Sequence, residues 1–362
     1  MDTDTALSAL RFILGHSGEN GSDSADIGFF GREPLLRPDL IRLLLSESAG
    51  KARVTRSINT NGTLLDRAML EELEAFGVRI ALSLDGVPGT SDALRISPDG
   101  SSSYERVSRN FPGLLDYKPP VHIRMTVTAR DAGEFCENAR HLLETGFKRL
   151  SFAFDLTDPS WDDGSFSKLR DSMFRFAEWY VEAVSSGRDI TVPAFDSLAK
   201  GRAVPSRGLF CGAAGSLFCI DCDGGIYPCW RFAGDPAWRM GDVRSGFSED
   251  PARHPFNSIR QKEIPGCAGC PYAGFCGRCA WAGIQSGGRP DFISRVQCET
   301  SKAAIEAGLE ACRMLIEARD PHFLTRLDAM KSVNSEDKVR LTSSEGDVFS
   351  IPKEELEKYR VK

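Results

Sequence analysis

The sequence predicts an α/β protein: a parallel sheet, open or curved into part of a barrel, followed by a small cysteine-rich domain. Two observations carry that prediction. From residue 1 to about 190, short apolar runs alternate with helical patterns, with turn residues at the junctions. Beyond that stretch, nine of the eleven cysteines fall between Cys211 and Cys298. At 362 residues, 41% hydrophobic and 27% charged, the chain is long enough for two or three domains. Its net charge of −6 comes without a lysine/arginine block that would track phosphates, so no nucleic acid partner is expected. The acidic start Met1-Asp2-Thr3-Asp4 does not make a secretory signal, and no run approaches about 18 apolar residues. The chain therefore reads as soluble and cytoplasmic, without a membrane partner.

Leu7, Leu10 and Leu14 share one face of a first helix ending near His16 to Gly18. Ile27 to Phe30, closed by Gly31, reads as a short buried strand, and Asp39 to Leu45 as a helix opened by Pro38. Val54 to Ile58 is the next strand and ends in the turn Asn59-Thr60-Asn61-Gly62. Asp66 then caps a helix that turns Met69, Leu70, Leu73 and Phe76 inward, Gly77 ends it, and Val78 to Leu84 is a near-continuous strand. Val121 to Val127 supplies a fourth strand. A helix with Leu142 and Leu143, stopped at Gly146, leads to a fifth over Phe147 to Phe154. Strands separated by helices imply right-handed crossovers and parallel pairing.

Gly201 to Gly208 reads as a linker. A helix is expected from about Ser301 to Ala318. Beyond it, Val339 to Thr342 and Val348 to Ile351 read as a hairpin across Ser343 to Asp347, followed by a charged helix from Lys353 to Tyr359. The expected domains are 1–200, 206–305 and a C-terminal 306–362.

The cysteines form two sets. Cys267-x2-Cys270-x5-Cys276-x2-Cys279 is followed at a distance by Cys298, and the upstream set is Cys211, Cys219, Cys222 and Cys229. Two or three residues between thiols let both sulfurs reach one centre from a tight turn, a spacing that zinc and iron–sulfur sites share. Two four-cysteine centres need eight thiols, and nine are present. A redox dithiol is the other use of Cys-x2-Cys, but neither Cys219/Cys222 nor Cys276/Cys279 has the strand-then-helix setting of a thioredoxin-like unit. Cys136 and Cys312, alone in helical patterns, read as buried structural thiols. Asp155 at a strand end reads as a turn residue. Ser83 has no histidine placed to activate it. Trp161, Trp179 and Trp238 read as packing residues.

In that order and spacing the motifs resemble a family. Gly31-Arg32-Glu33-Pro34 after a strand is similar to the Gly-Gly-Glu-Pro motif of radical S-adenosylmethionine (SAM) enzymes. Asn59-Thr60-Asn61-Gly62-Thr63 and Leu82-Ser83-Leu84-Asp85-Gly86 resemble the next two strand ends of the same barrel. Cys211-x12-Gly224-x4-Cys229, then Cys267-x2-Cys270-x5-Cys276 and Cys298, resembles a SPASM domain, the auxiliary-cluster module of peptide- and protein-modifying members. The resemblance covers roughly residues 3 to 305. It implies SAM at Gly31, Arg32, Glu33 and Pro34, with Ser83 and Arg95 near its ribose or carboxylate. It implies one auxiliary [4Fe-4S] cluster on Cys211, Cys229 and Cys279, with Cys219 or Cys222 as fourth ligand. A second would lie on Cys267, Cys270, Cys276 and Cys298.

The sequence also departs from the family pattern. The Cys-x3-Cys-x2-Cys loop that holds the SAM-reducing cluster occurs nowhere among the eleven cysteines. The resemblance then implies a partial (β/α) barrel missing its first strand, an N-terminally shortened form of a maturase, ahead of a small iron–sulfur domain. Arg32 stands where the family has a second glycine, and Cys276 and Cys279 are two residues apart where three are usual. Trp230 follows Cys229 where sulfatase-maturing members carry an aspartate, so sulfatase maturation is not the expected activity. Two functions follow: a radical SAM/SPASM maturase of a peptide or protein substrate, or a non-catalytic iron–sulfur protein serving electron transfer or peptide binding. Substrate and oligomeric state stay open.

Overall fold

The structure, a computed structural model, describes residues 1–19, 24–51, 53–199, 209, 211–260, 263–323, 338–342 and 348–352. The linker Gly201 to Gly208, the turn Ser343 to Asp347 and the helix Lys353 to Tyr359 lie outside these residues.

After a first helix α1 (Thr3–Glu19), five parallel strands stand in sequence order in one sheet. They are β1 (Ala25–Phe29), β2 (Val54–Thr60), β3 (Arg79–Ser83), β4 (His122–Val127) and β5 (Arg149–Phe154). The register runs Phe29↔Ile58, Ile58↔Ile80, Leu82↔Ile123 and Ile123↔Leu150. Thr191 adds one parallel bridge to Arg149 beyond β5. The crossovers carry α2 (Pro38–Ser48), α3 (Arg67–Ala75), α4 (Pro88–Leu94), α5 (Ser103–Ser108), α6 (Phe111–Asp116) and α7 (Phe135–Glu144). After β5 come α8 (Asp163–Ser185) and α9 (Pro193–Ala199).

Local chemistry fixes these boundaries. Asp66 accepts a hydrogen bond from the Met69 amide at 2.8 Å, satisfying a donor that α3 leaves open. Asp162 and Ser165 form a reciprocal capping box that opens α8. Ile80, Leu82, Ile123, Met125, Val127 and Leu150 are buried on the helix-covered face. The near-continuous apolar strand expected at Val78 to Leu84 implies burial on both faces. Instead β3 and β4 alternate: Ser83, His122, Arg124 and Thr126 occupy the other, partly open face. One face is packed by helices and the other is polar.

The cysteine-rich part holds four short antiparallel strands in the order β6 (Cys219–Ile220), β7 (Gly225–Tyr227), β8 (Gly241–Asp242) and β9 (Gly246–Phe247). Two helices follow, α10 (Pro255–Ser258) and α11 (Ala280–Gly287). Helix α1 also packs here. Ala9 and Phe12 join Ile226 and Val243 in one apolar cluster, and Arg244 donates to the Thr5 hydroxyl at 2.7 Å.

Helix α12 (Arg295–Glu317) then returns to the first unit and packs on α8 and α9. It begins six residues before the expected Ser301, because the Ser294 hydroxyl caps it by accepting from the Gln297 amide at 3.1 Å. The expected boundary at 305/306 therefore falls inside one continuous helix. Ala303, Ala307, Cys312 and Leu315 on that helix belong to the core of the five-strand unit. Farther on, β10 (Lys338–Thr342) and β11 (Val348–Pro352) pair antiparallel, with Leu341 opposite Phe349. Among the described residues, no helix is long and apolar enough to cross a membrane.

Candidate functional site

Two acidic side chains fasten strand ends in pairs, β1 to β2 and β3 to β4. Glu33 follows β1, and its carboxylate accepts from the Thr60 hydroxyl at 2.8 Å, the Asn61 amide at 2.8 Å and the Leu35 amide at 3.1 Å. It thus ties the first strand end to the second. Gly31 has φ +154° and open space where a side chain would begin, so its backbone is reachable by a ligand. Arg32 is exposed. Ser83 is half-buried at the end of β3.

Asp85 is the second fastener. It is fully buried and takes Arg95 Nε at 2.7 Å and Nη2 at 2.9 Å, together with the Thr126 amide at 2.7 Å. Arg95, expected beside a ribose or carboxylate, is therefore held in an ion pair with the protein itself. Gly86 follows with φ +136°, and a Cβ there would lie 2.1 Å from Asn138 Oδ1, which explains the Asp-Gly sequence at this strand exit.

The polar face of the sheet contributes residues that the sequence reading did not single out. The His122 ring and the Ser151 hydroxyl are 2.6 Å apart. Burial, then the charges of Arg149 and Arg124, push the His122 pKa down to about 4. Their signal was present in the chain: His122, Arg124 and Thr126 alternate with Ile123, Met125 and Val127, a period of two that marks a one-sided strand. Because the unfolded chain binds a proton at His122 near the ordinary value of 6.5 and the folded chain resists it to about 4, stability contributed here is complete above pH 6.5. It is lost as pH falls toward 4. Urea midpoints measured from pH 7 to 4 are expected to fall less steeply in His122→Gln than in the unmodified protein; parallel curves would exclude this assignment.

The thiols gather as two sets. Cys211 is raised in pKa by burial and then by Cys279, and Cys229 by burial and then by Cys279 and Cys211. Cys219, pushed up to about 12 by burial and by Asp221, also senses Cys229 and Cys222. Cys211 and Cys222 are both exposed as whole residues, although burial raises the Cys211 thiol. In the other set, Cys267 is raised by burial with contributions from Cys276, Cys270 and Cys298, and Cys276 by burial with contributions from Cys298 and Cys270. Raised thiol pKa values mean that metal loading must displace protons. Among the described residues, no three Cys, His, Asp or Glu side chains converge on a point that could hold a single metal ion. Cys136 and Cys312 are buried apart from both sets.

One aromatic contact joins the first cysteine set to the strand ends. Phe30, immediately before Gly31, meets Trp230, immediately after Cys229, with ring centroids 5.0 Å apart. Both rings are also open to solvent, at 45% and 48% exposure. Arg231 lies over Trp230 at 4.5 Å and over Trp281 at 4.6 Å. Elsewhere, Asp155 accepts from the Thr157 amide and hydroxyl in a local turn, and Trp161 packs on Phe166 while donating to the Asp155 carbonyl. A separate cavity of about 220 Å³, lined by Thr90, Leu94, Arg130, Asp131 and Glu134 among others, includes none of the expected SAM residues.

No family model matches the chain. A cysteine-type anaerobic sulfatase-maturating enzyme of Clostridium perfringens is 24% identical over 277 residues, 69% of this chain and 73% of that protein. Among solved structures, anSMEcpe with bound AdoMet superposes with a TM-score of 0.73 at 18% identity, covering 91% of this chain and 90% of that one. The same protein with bound AdoMet and the Cp18Cys peptide gives 0.71 at 19% identity, covering 88% and 92%. The chain has the architecture of radical SAM proteins that carry a SPASM-type C-terminal domain, and its sequence relatives are of that kind.

Proposed function

We propose that the protein belongs to a radical SAM/SPASM system that modifies a peptide or protein. In this reading SAM lies at the Gly31–Pro34 strand end with Ser83 nearby, and two auxiliary [4Fe-4S] clusters occupy the two cysteine sets. The observation that supports it is the Phe30–Trp230 contact, in which the residue before Gly31 meets the residue after Cys229. Glu33 holds the first strand end, and Asp85 with Arg95 positions the third. Arg124 and the neutral His122 offer a cationic, hydrogen-bonding face to whatever enters between the sheet and the cysteine-rich part. The auxiliary clusters, when bound, supply one-electron transfer.

Cys219, which senses Cys229, is the proposed fourth ligand of the first set, which leaves Cys222 as the spare thiol. Anaerobic reconstitution followed by iron, sulfide and zinc analysis tests the whole reading. About eight irons per chain are expected, falling by about half in Cys219→Ala and unchanged in Cys222→Ala. Colourless protein loaded with zinc would overturn it.

A second reading is an iron–sulfur accessory that carries electrons or presents a peptide to a partner. Under it, the reconstituted chain with a strong reductant yields no 5′-deoxyadenosine from SAM. Turnover to 5′-deoxyadenosine would exclude it. A reading frame that supplies the missing loop upstream would instead favour the maturase.

A further inference from the structure

Arg278 stands between Cys276 and Cys279 and is 6% exposed. Neither Nη1 nor Nη2 has a hydrogen-bond acceptor among the described residues. A buried guanidinium without acceptors is strongly unfavourable unless a nearby negative charge compensates it. The groups whose charge acts on it are Cys267, Cys276 and Asp291, and Asp291 is already 3.1 Å from Arg289. Neutral thiols are weak acceptors and leave the guanidinium unsatisfied. Four thiolates around an iron–sulfur centre are anionic and would satisfy it.

The cationic surroundings are also unequal between the two sets. Lys302 reaches Cys298 and Arg278 acts on Cys267 and Cys276, so the second set has two basic neighbours. The first set has Arg231 near Cys229 but also Asp221 near Cys219, and those charges oppose each other.

We propose that Arg278 is the internal counter-charge of the Cys267, Cys270, Cys276 and Cys298 centre and raises its reduction potential, making it the more easily reduced of the two. The proposal rests on the iron–sulfur reading above. A fixed positive charge in a water-poor site stabilises the reduced, more negative state, and net charge and solvent exposure are the main protein controls on cluster potential. Arg278 is thus a positioning and tuning residue, not a ligand.

The test is a redox titration followed by electron paramagnetic resonance on the full chain, reconstituted anaerobically, as unmodified protein, Arg278→Lys and Arg278→Met. With iron content equal, Arg278→Met is expected to disfavour reduction of one cluster about tenfold, roughly 59 mV for one electron, while Arg278→Lys retains most of the unmodified value. Loss of iron in Arg278→Met with retention in Arg278→Lys supports the same conclusion, since charge is what the two differ in. Equal midpoints at full iron content overturn the proposal and leave the iron–sulfur reading standing. Loss of iron in both variants overturns it in favour of a role for the guanidinium's shape. Unmodified protein that binds no iron overturns the reading beneath it.

Discussion

Removing iron from the reconstituted protein is expected to open residues 211–293 to proteolysis while the five-strand unit stays intact. Beyond the thiols, the cysteine-rich part has a small core of its own and its contact with α1. Its strands are two or three residues long. The buried core around it consists of a few side chains such as Tyr227, Phe232, Phe256 and Ile264. So small an apolar core rarely supplies more than about 3–5 kcal/mol. Metal binding to such a region is folding free energy, of order 10–16 kcal/mol for structural zinc in small fingers, and a cluster on four thiolates acts in the same way. The sheet unit, by contrast, buries Phe135, Phe176, Tyr180 and Phe195 under α7, α8 and α9, and α12 belongs to that core. Limited proteolysis of chelated and iron-loaded protein, read by mass spectrometry, should place the new cleavages between 211 and 293 and spare 25–199 and 295–317. Equal resistance in the chelated protein would show that packing alone sustains the region and that the thiols have no structural ligand role.

The contrast between those two regions follows how each was written in the chain. The strand–helix alternation was legible because it is encoded locally: Asp66 caps, Gly77 stops, and apolar runs of four to seven residues lie between them. The two thiol sets were legible as a class of chemistry from spacing alone, although spacing could not separate Cys219 from Cys222. That distinction depends on which thiol the antiparallel pairing of Cys219 with Tyr227 brings toward Cys229, a tertiary fact. The start of α12 at Ser294 was missed since the Gly-Pro-rich stretch before it masks the cap. Arg95 shows a different limit. A basic residue ten positions after Asp85 is equally consistent with a ligand contact and with an internal ion pair, and the ion pair becomes visible only when the α4 end returns onto β3. Arg278 carried no signal in the sequence beyond its place between two cysteines; its meaning comes from being buried.

The Asp85–Arg95 pair is the second place where a large effect is expected. Arg95→Met should destabilise the five-strand unit by about 3–5 kcal/mol, because it leaves a carboxylate that is fully buried with only the Thr126 amide to satisfy it. Asp85→Leu should cost somewhat less, since the Arg95 side chain is 26% exposed and part of its charge can reach water. Such losses are large against a total stability of about 5–15 kcal/mol for a domain. The double variant, Asp85→Leu with Arg95→Met, is expected to recover more than half of the summed losses, as replacing both members of a buried pair by apolar groups removes the uncompensated charge. Urea unfolding followed by tryptophan fluorescence, with iron content checked in parallel, measures all three. Losses below about 1 kcal/mol, or strictly additive ones, would mean that water already screens the pair. The position of the pair gives the result a functional edge. Asp85 leaves β3 two residues after Ser83, Arg95 ends α4, and the Thr126 amide belongs to β4 beside Arg124. The same bonds therefore fix the strand end proposed to meet SAM and the strand that presents the polar face, so the double variant should regain stability without regaining affinity for SAM.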